Sequence, residues 1–216
     1  LLAITDELLA EAGIELRHVT VTEVTGAGDR FDVRLETGEG LVARAVLLAT
    51  GVRDHLPSIE GLAECYGISV PPSPYWAGWE PAQRPLAVIG RGTGGAGLAL
   101  SLKTWSDRVT LCSNGRARLS AAQRARLEAQ QIPVVERAIA RLDHVDGRVR
   151  ALVPHSGEPV ACEAVFFAAG QSPQSDLPRR LGCEFTRKGT VKTDHLGQTC
   201  VPGLYVVGDA SRDVQF

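Results

Sequence analysis

The residues with the clearest chemistry lie mid-chain, at Gly90-Arg91-Gly92-Thr93-Gly94-Gly95. They fit the spacing G-x-G-x-x-G, follow the apolar run Leu86-Ala87-Val88-Ile89 and precede "AGLALSLKTW", which has helical composition and periodicity. A strand that passes through a tight glycine turn into a helix makes a cradle for anions. The first glycine forms the turn, the second lets the backbone approach a pyrophosphate, and the third lets the helix pack on the strand. Free N–H groups and the dipole at the helix start then favour phosphate. Gly90, Gly92, Thr93 and Gly95 are therefore expected to bind a dinucleotide.

The end of the next strand chooses among dinucleotides. An Asp or Glu about 20 residues past the turn would hold the ribose diol of NAD. The stretch "RVTLCSNGRAR" (108–118) has no carboxylate there and continues into Arg116 and Arg118. This favours NADP, whose 2′-phosphate an arginine can pair, over NAD. The alternative, two solvated loop arginines, stays open.

Other residue types exclude more than they assign. The five cysteines (Cys65, Cys112, Cys162, Cys183, Cys200) contain no C-x-x-C and no close pair, so neither a zinc ribbon nor a disulfide framework is implied. Each reads as a small buried hydrophobe in a reducing cytoplasm. His18, His55, His144, His155 and His195 form no close-spaced set with one another or with the cysteines, so no metal site is expected. With 23 basic and 25 acidic residues, a net charge of −2 offers no nucleic-acid surface. The longest apolar runs, 45–51 and 164–170, fall far short of the roughly 18–20 residues of a membrane helix. No secretory or transit segment is visible. Neither nucleic acid nor membrane is an expected partner.

The elements that must position these residues show an internal repeat. "TGEGLVARAVLLATG" (37–51) and "SGEPVACEAVFFAAG" (156–170) align without a gap at an offset of 119, with six identities in fifteen positions. Upstream of each lies a hairpin-like alternation, "RFDVRLETGEG" and "GRVRALVPHSGEP". Each copy ends in an unbroken apolar run, as for a strand buried on both faces of a parallel sheet. Two α/β domains of common origin are expected. A short helix is expected from Thr5 or Asp6 to Ala12, and Pro-rich residues 70–85 are expected to form the linker. The same offset carries the counterpart of Gly90 to a position before Leu1. With no methionine in the chain, an earlier strand and phosphate turn are expected to be missing.

With these pieces in place, the chain resembles the low-molecular-weight thioredoxin reductases and their relatives among the flavin-dependent pyridine nucleotide-disulfide oxidoreductases. "ARAVLLATGVRDHLPSIEGL" (43–62) resembles the strand and A-T-G turn leading out of the flavin domain. "PLAVIGRGTGGAGLAL" (85–100) resembles the nicotinamide-nucleotide turn, and "TCVPGLYVVGDAS" (199–211) the second flavin motif. The resemblance implies two Rossmann-like, three-layer ββα dinucleotide-binding domains, the flavin one discontinuous. Their expected bounds are 1–83 with 171–216 for a partial FAD domain, and 84–170 for the NAD(P) domain. It also implies that Thr50, Gly51, Gly208 and Asp209 face FAD, with Asp209 bonding the ribityl chain, and that the protein is a homodimer. The resemblance also implies a helix after the Gly208-Asp209 motif, which is expected to be missing along with the first phosphate turn.

The same resemblance exposes a loss. The nearest branch of the family carries a redox motif like C-P-Y-C-H-G-W-E, and here that frame reads Ser73-Pro-Tyr-Trp-Ala-Gly-Trp-Glu80. Disulfide exchange needs an attacking thiolate and a second sulfur to resolve the mixed disulfide. Ser73 and Trp76 supply neither, so thioredoxin reductase chemistry is excluded at this site and no catalytic residue is assigned. Two functions are expected in its place. One is an NAD(P)H–FAD oxidoreductase whose unknown acceptor is a small molecule or a redox protein. The other is a non-catalytic flavin- and nucleotide-binding relative with a regulatory or binding role.

Overall fold

The structure is a computed structural model that describes residues 8–73, 81–168, 170–187 and 189–211. Contacts divide the chain into two units, Leu1–Arg53 with Ser172–Phe216, and Asp54–Gln171. A helical turn at 8–11 is the described part of the expected first helix.

The discontinuous unit begins with an antiparallel meander of β1 (Val21–Ala27), β2 (Arg30–Leu35) and β3 (Gly40–Ala43). Alternation along β2 turns Phe31 and Leu35 inward and Arg30, Asp32 and Arg34 outward, the period of two that a half-buried strand requires. β4 (Val46–Leu48) then pairs in parallel with β14 (Leu204–Val206), with Val46, Leu47 and Leu48 opposite Leu204, Tyr205 and Val206. Phe31, Leu48, Val191, Leu204 and Val206 share one core. β5 (Val52–Asp54) carries the chain into the second unit.

That second unit has three layers. Its middle is a parallel sheet in the order β12-β6-β7-β8, formed by β6 (Leu86–Ile89), β7 (Val109–Cys112), β8 (Val134–Val135) and β12 (Ala164–Phe167). Side-chain alternation sorts the residues of these strands between two cores. Leu86, Val88, Val109, Leu111, Ala164 and Phe166 pack against Ala96, Ala99, Leu102 and Leu127 of the helical layer. Those four residues come from α2 (Gly92–Leu102) and α3 (Ala121–Ala129). Ala87, Ile89, Cys112 and Val165 face the other way, against Leu142, Val149 and Leu152. The latter belong to a meander of β9 (Ile139–Val145), β10 (Arg148–Pro154) and β11 (Val160–Ala161). Sheets buried on both faces need apolar residues at both parities, and β6 is buried at all four positions. Ser120 starts α3 with a reciprocal capping box to Gln123.

The repeat is structural. β1-β2-β3 and β9-β10-β11 are both antiparallel meanders, and β4 and β12 both run parallel to a strand outside their own meander. The first hairpin of each turns through two residues, Gly28-Asp29 and Asp146-Gly147, between Ala27↔Arg30 and Val145↔Arg148. Gly28 and Gly147 both sit at φ +74, the left-handed backbone that such tight hairpins demand. β13 (Gln171–Pro173) repeats β5 at the same offset of 119, and the two strands pair with each other.

Contacts divide the chain at Arg53/Asp54 and at Gln171/Ser172, where the sequence expectation has 83/84 and 170/171. The segment 54–73 packs into the second unit. Leu62 and Cys65 of α1 (Leu62–Cys65), together with Ile59 and Val70, are buried in the core that holds Ala87 and Val165. Ser69, itself buried, donates to Gly147 O (2.6 Å) and accepts from Val149 N (2.9 Å), which fixes this segment to the β9–β10 hairpin. Among the described residues no helix is long and apolar enough to cross a membrane.

Candidate functional site

In the second unit the glycine turn sits at the carboxyl end of β6, where the strand order reverses between β12 and β7. Ligands bind open α/β sheets at such a point. Gly90 and Gly95 meet backbone to backbone. A methyl group on Gly95 would lie 2.5 Å from Gly90 C, and one on Gly90 would lie 2.7 Å from Gly95 Cα and 3.1 Å from Ala168 Cβ. No side chain fits at either place, and this contact brings the start of α2 down onto the strand end. The helix N-terminus leaves orphan N–H groups by its geometry, and one is already used: Gly92 N donates to Ala117 O at 2.8 Å. Those of Thr93 and Gly94 remain in the first turn. The Thr93 hydroxyl accepts from Gln123 Nε2 at 3.0 Å.

The loop after β7 lies across this turn. Arg91 Nε donates to Ser113 O at 2.7 Å and its Nη2 donates to Asn114 O, while the Asn114 side chain accepts from Ile139 N at 2.8 Å. Arg116 and Arg118 project from the same loop, both exposed. The loop has the carboxylate that its own sequence lacks, supplied by the next strand. Glu136, just past β8, accepts from Ala117 N at 2.7 Å and from Arg124 Nη2 at 3.0 Å. The Ala117 N–H first, then Arg124, with Arg116 adding charge, hold the Glu136 carboxyl below its ordinary range. Sequence spacing missed Glu136 because it looks along one strand, whereas the group arrives from the parallel neighbour.

In the discontinuous unit the four expected flavin residues come together. β4 and β14 are adjacent and parallel, and Val207 N donates to Leu48 O at 3.0 Å, so their carboxyl ends lie side by side. One end continues into Thr50-Gly51 and the other into Gly208-Asp209. Gly51 and Gly208 take φ +66 and +68, with open space where a Cβ would point. Gly208–Ala210 is a single 3-10 turn that leaves Asp209 exposed. Thr50 Oγ1 is buried with no hydrogen-bond partner among the described residues. A buried hydroxyl without a partner costs about 1–3 kcal/mol, and a bound polar ligand relieves that cost. These residues fit a flavin nucleotide: a hydroxyl awaiting a partner, two glycines that open the backbone, and a carboxylate that accepts from sugar hydroxyls.

A family model described as pyridine nucleotide-disulphide oxidoreductase matches residues 7–215. The chain belongs to this family. Members and structural neighbours include thioredoxin reductases, in keeping with the two-unit fold. One component of the alkyl hydroperoxide reductase of Pseudomonas putida is 29% identical over 192 residues, covering 85% of this chain and 37% of the relative. The ferredoxin–NAD(+) reductase component of the biphenyl dioxygenase system of Paraburkholderia xenovorans is 28% identical, covering 83% of this chain and 46% of the relative. A crystal structure of HlmI superposes with TM-score 0.87 at 37% identity, over 97% of this chain and 67% of that one. The chain spans 37%, 52% and 62% of the first three curated relatives.

The sequence resemblance puts the redox pair at Ser73 and Trp76. Ser73 is half-buried, and Trp76 lies outside the described residues. Cys65, Cys112 and Cys162 are buried in the second unit. Burial pushes the thiols of Cys112 and Cys162 up to about 12 and raises that of Cys65, so all three stay protonated at neutral pH and lack the thiolate that exchange requires. Cys183 is buried as well. The expectation that every cysteine is a buried hydrophobe fails at Cys200, which is exposed.

Proposed function

We propose that this chain is the nucleotide-binding part of an FAD-dependent NAD(P)H oxidoreductase that delivers electrons to an acceptor other than a protein disulfide, such as oxygen, a quinone, a ferredoxin or a small metabolite. The observation that carries this reading is the orphaned Thr50 hydroxyl beside Gly51, Gly208 and Asp209, in a chain that has Ser73 where a redox cysteine would stand. Bound in the discontinuous unit, FAD would supply the two-electron chemistry, taking a hydride from NAD(P)H. Asp209 accepts from hydroxyls of the bound nucleotide, and Thr50 Oγ1 gains the partner it lacks. In the second unit the Thr93 and Gly94 N–H groups hold pyrophosphate. Arg116 and Arg118 are the cations available to a 2′-phosphate, with the Glu136 carboxylate opposing them. Ser73 neither ionises near neutral pH nor forms a disulfide, so electrons leave by another route. A cytoplasmic homodimer belongs to the same proposal.

The test is NAD(P)H consumption by the FAD-loaded protein with oxygen, a quinone, a ferredoxin and oxidised thioredoxin. Turnover is expected with a non-disulfide acceptor and not with thioredoxin. Turnover with thioredoxin would overturn the reading. A second reading, a non-catalytic relative that keeps the fold, is favoured by one observation: the loop at 113–118 already takes the Gly92 N–H and the Arg91 side chain. Absence of NAD(P)H consumption with every acceptor, despite bound FAD, would select it.

A further inference from the structure

The two cysteines left outside the second unit sit on adjoining turns. Cys200 is exposed, and its Sγ lies 3.6 Å from the carbonyl oxygen of Gly182, the residue before Cys183. Cys183 is 8% exposed, and Thr199, the residue before Cys200, is near enough to act on its thiol. Standard peptide dimensions then put Cys200 Sγ within about 6.5 Å of Cys183 Cα, so closing a bond requires side-chain rotation that brings the two Cβ atoms to about 3.5–4.5 Å. Both residues sit on turns that the fold holds firmly. Cys183 N bonds Pro178 O at 3.0 Å, and the Thr199 hydroxyl ties the turn before β14 to Leu204 O at 3.0 Å.

We infer that Cys183 and Cys200 are a redox-responsive dithiol, closed to a disulfide by a hydroperoxide and reopened by a small thiol. Cys200 is the accessible member: its thiolate attacks the peroxide, the O–O bond breaks, and the alcohol or water leaves with one oxygen while Cys200 becomes a sulfenic acid. Cys183 then attacks Cys200 Sγ, the S–O bond breaks, and the hydroxide leaves as water with the proton from Cys183. Two thiols are oxidised and one peroxide is reduced. Burial raises the Cys183 thiol, which keeps it unreactive toward the peroxide itself, and its proton leaves with the departing hydroxide in the second step. This pair does not replace the lost redox motif. Cys200 precedes β14 and Gly208 follows it, so the strand separates the dithiol from the flavin cradle by roughly 13 Å at about 3.3 Å per residue over the four steps from Leu204 to Gly208.

The two cysteines fall on separate tryptic peptides, 181–187 and 193–212, so a link between them reads directly by mass. The protein is reduced, freed of reductant, treated with one equivalent of hydrogen peroxide and digested without reduction. The expected product is the 181–187/193–212 cross-link, with a loss of two free thiols that a small thiol restores. Cys200→Ser should abolish the link and leave Cys183 as a free thiol. Cys183→Ser should leave Cys200 as a sulfenic acid at one equivalent and send it on to sulfinic acid at a second. Wild-type protein in which Cys200 over-oxidises without the link, or in which the lost thiols map to Cys65, Cys112 or Cys162, overturns the assignment.

Discussion

Gly95 and Gly97 lie two residues apart on α2, and the fold predicts opposite results from adding the same methyl group to each. At Gly97 nothing lies within 4 Å of the new carbon. Gly97→Ala therefore only restricts the unfolded chain and improves helix propensity, a gain of about 0.5–1 kcal/mol. At Gly95 the carbon would meet Gly90 C, O and Cα at 2.5, 2.8 and 3.0 Å, all backbone. No side chain there can swing away, so the helix start must lift off the strand end. Overpacking of this kind costs about 1–3 kcal/mol. The two variants should then differ by about 1.5–4 kcal/mol. At about 2–4 °C per kcal/mol, thermal unfolding resolves that easily. Gly95→Ala should also weaken NAD(P)H binding while FAD content holds, because the two cradles belong to different units. A Gly95→Ala protein as stable as wild type, or a Gly97→Ala protein equally damaged, would refute the glycine-contact argument.

Three further outcomes follow from single groups. Ser69→Ala strips the partners from Gly147 O and Val149 N and should cost about 1–3 kcal/mol, read as a lower denaturant midpoint with an unchanged slope. Thr50→Val removes the orphaned hydroxyl at nearly constant shape; apo stability should hold or rise while FAD binds several-fold more weakly, since one hydrogen bond is worth about 0.5–1.5 kcal/mol, measured by flavin fluorescence titration. Burial, and then the hydrogen bond to Asp54, push the Tyr66 phenol from 10.0 up to about 12. Its neutral form is thus favoured in the fold, so its contribution is whole below pH 10 and lost as pH rises through about 12; Tyr66→Phe should flatten that alkaline decline in unfolding curves.

Much of this was legible in the sequence, for identifiable reasons. The 119-residue repeat became two meanders because strand periodicity and Gly-containing turns are local signals. The glycine turn was legible for the same reason, since strand, turn and helix are consecutive. What was missed is non-local. Leu62, Cys65 and Val70 look like a loop with a short helix and a linker, yet they bury in the core shared with β6 and β12. Their destination depends on the β9–β10 hairpin nearly 80 residues later, through Ser69. Glu136 and the Arg91 grip on the β7 loop were hidden likewise, because parallel strands bring together residues that are 19 to 25 positions apart. The Cys183–Cys200 pair escaped because its turns meet only once α4 (Leu177–Arg180) and β14 are packed.

The central claim is that electrons enter through flavin and find no dithiol beside it. The most direct measurement is an anaerobic titration of the air-oxidised, reductant-free, FAD-loaded protein with NADH and with NADPH, followed by flavin absorbance. A flavin alone accepts one hydride, so bleaching should be complete at one equivalent of the preferred nucleotide, whereas a coupled disulfide would require a second. No bleaching by either nucleotide, or an end point at two equivalents, would contradict the account.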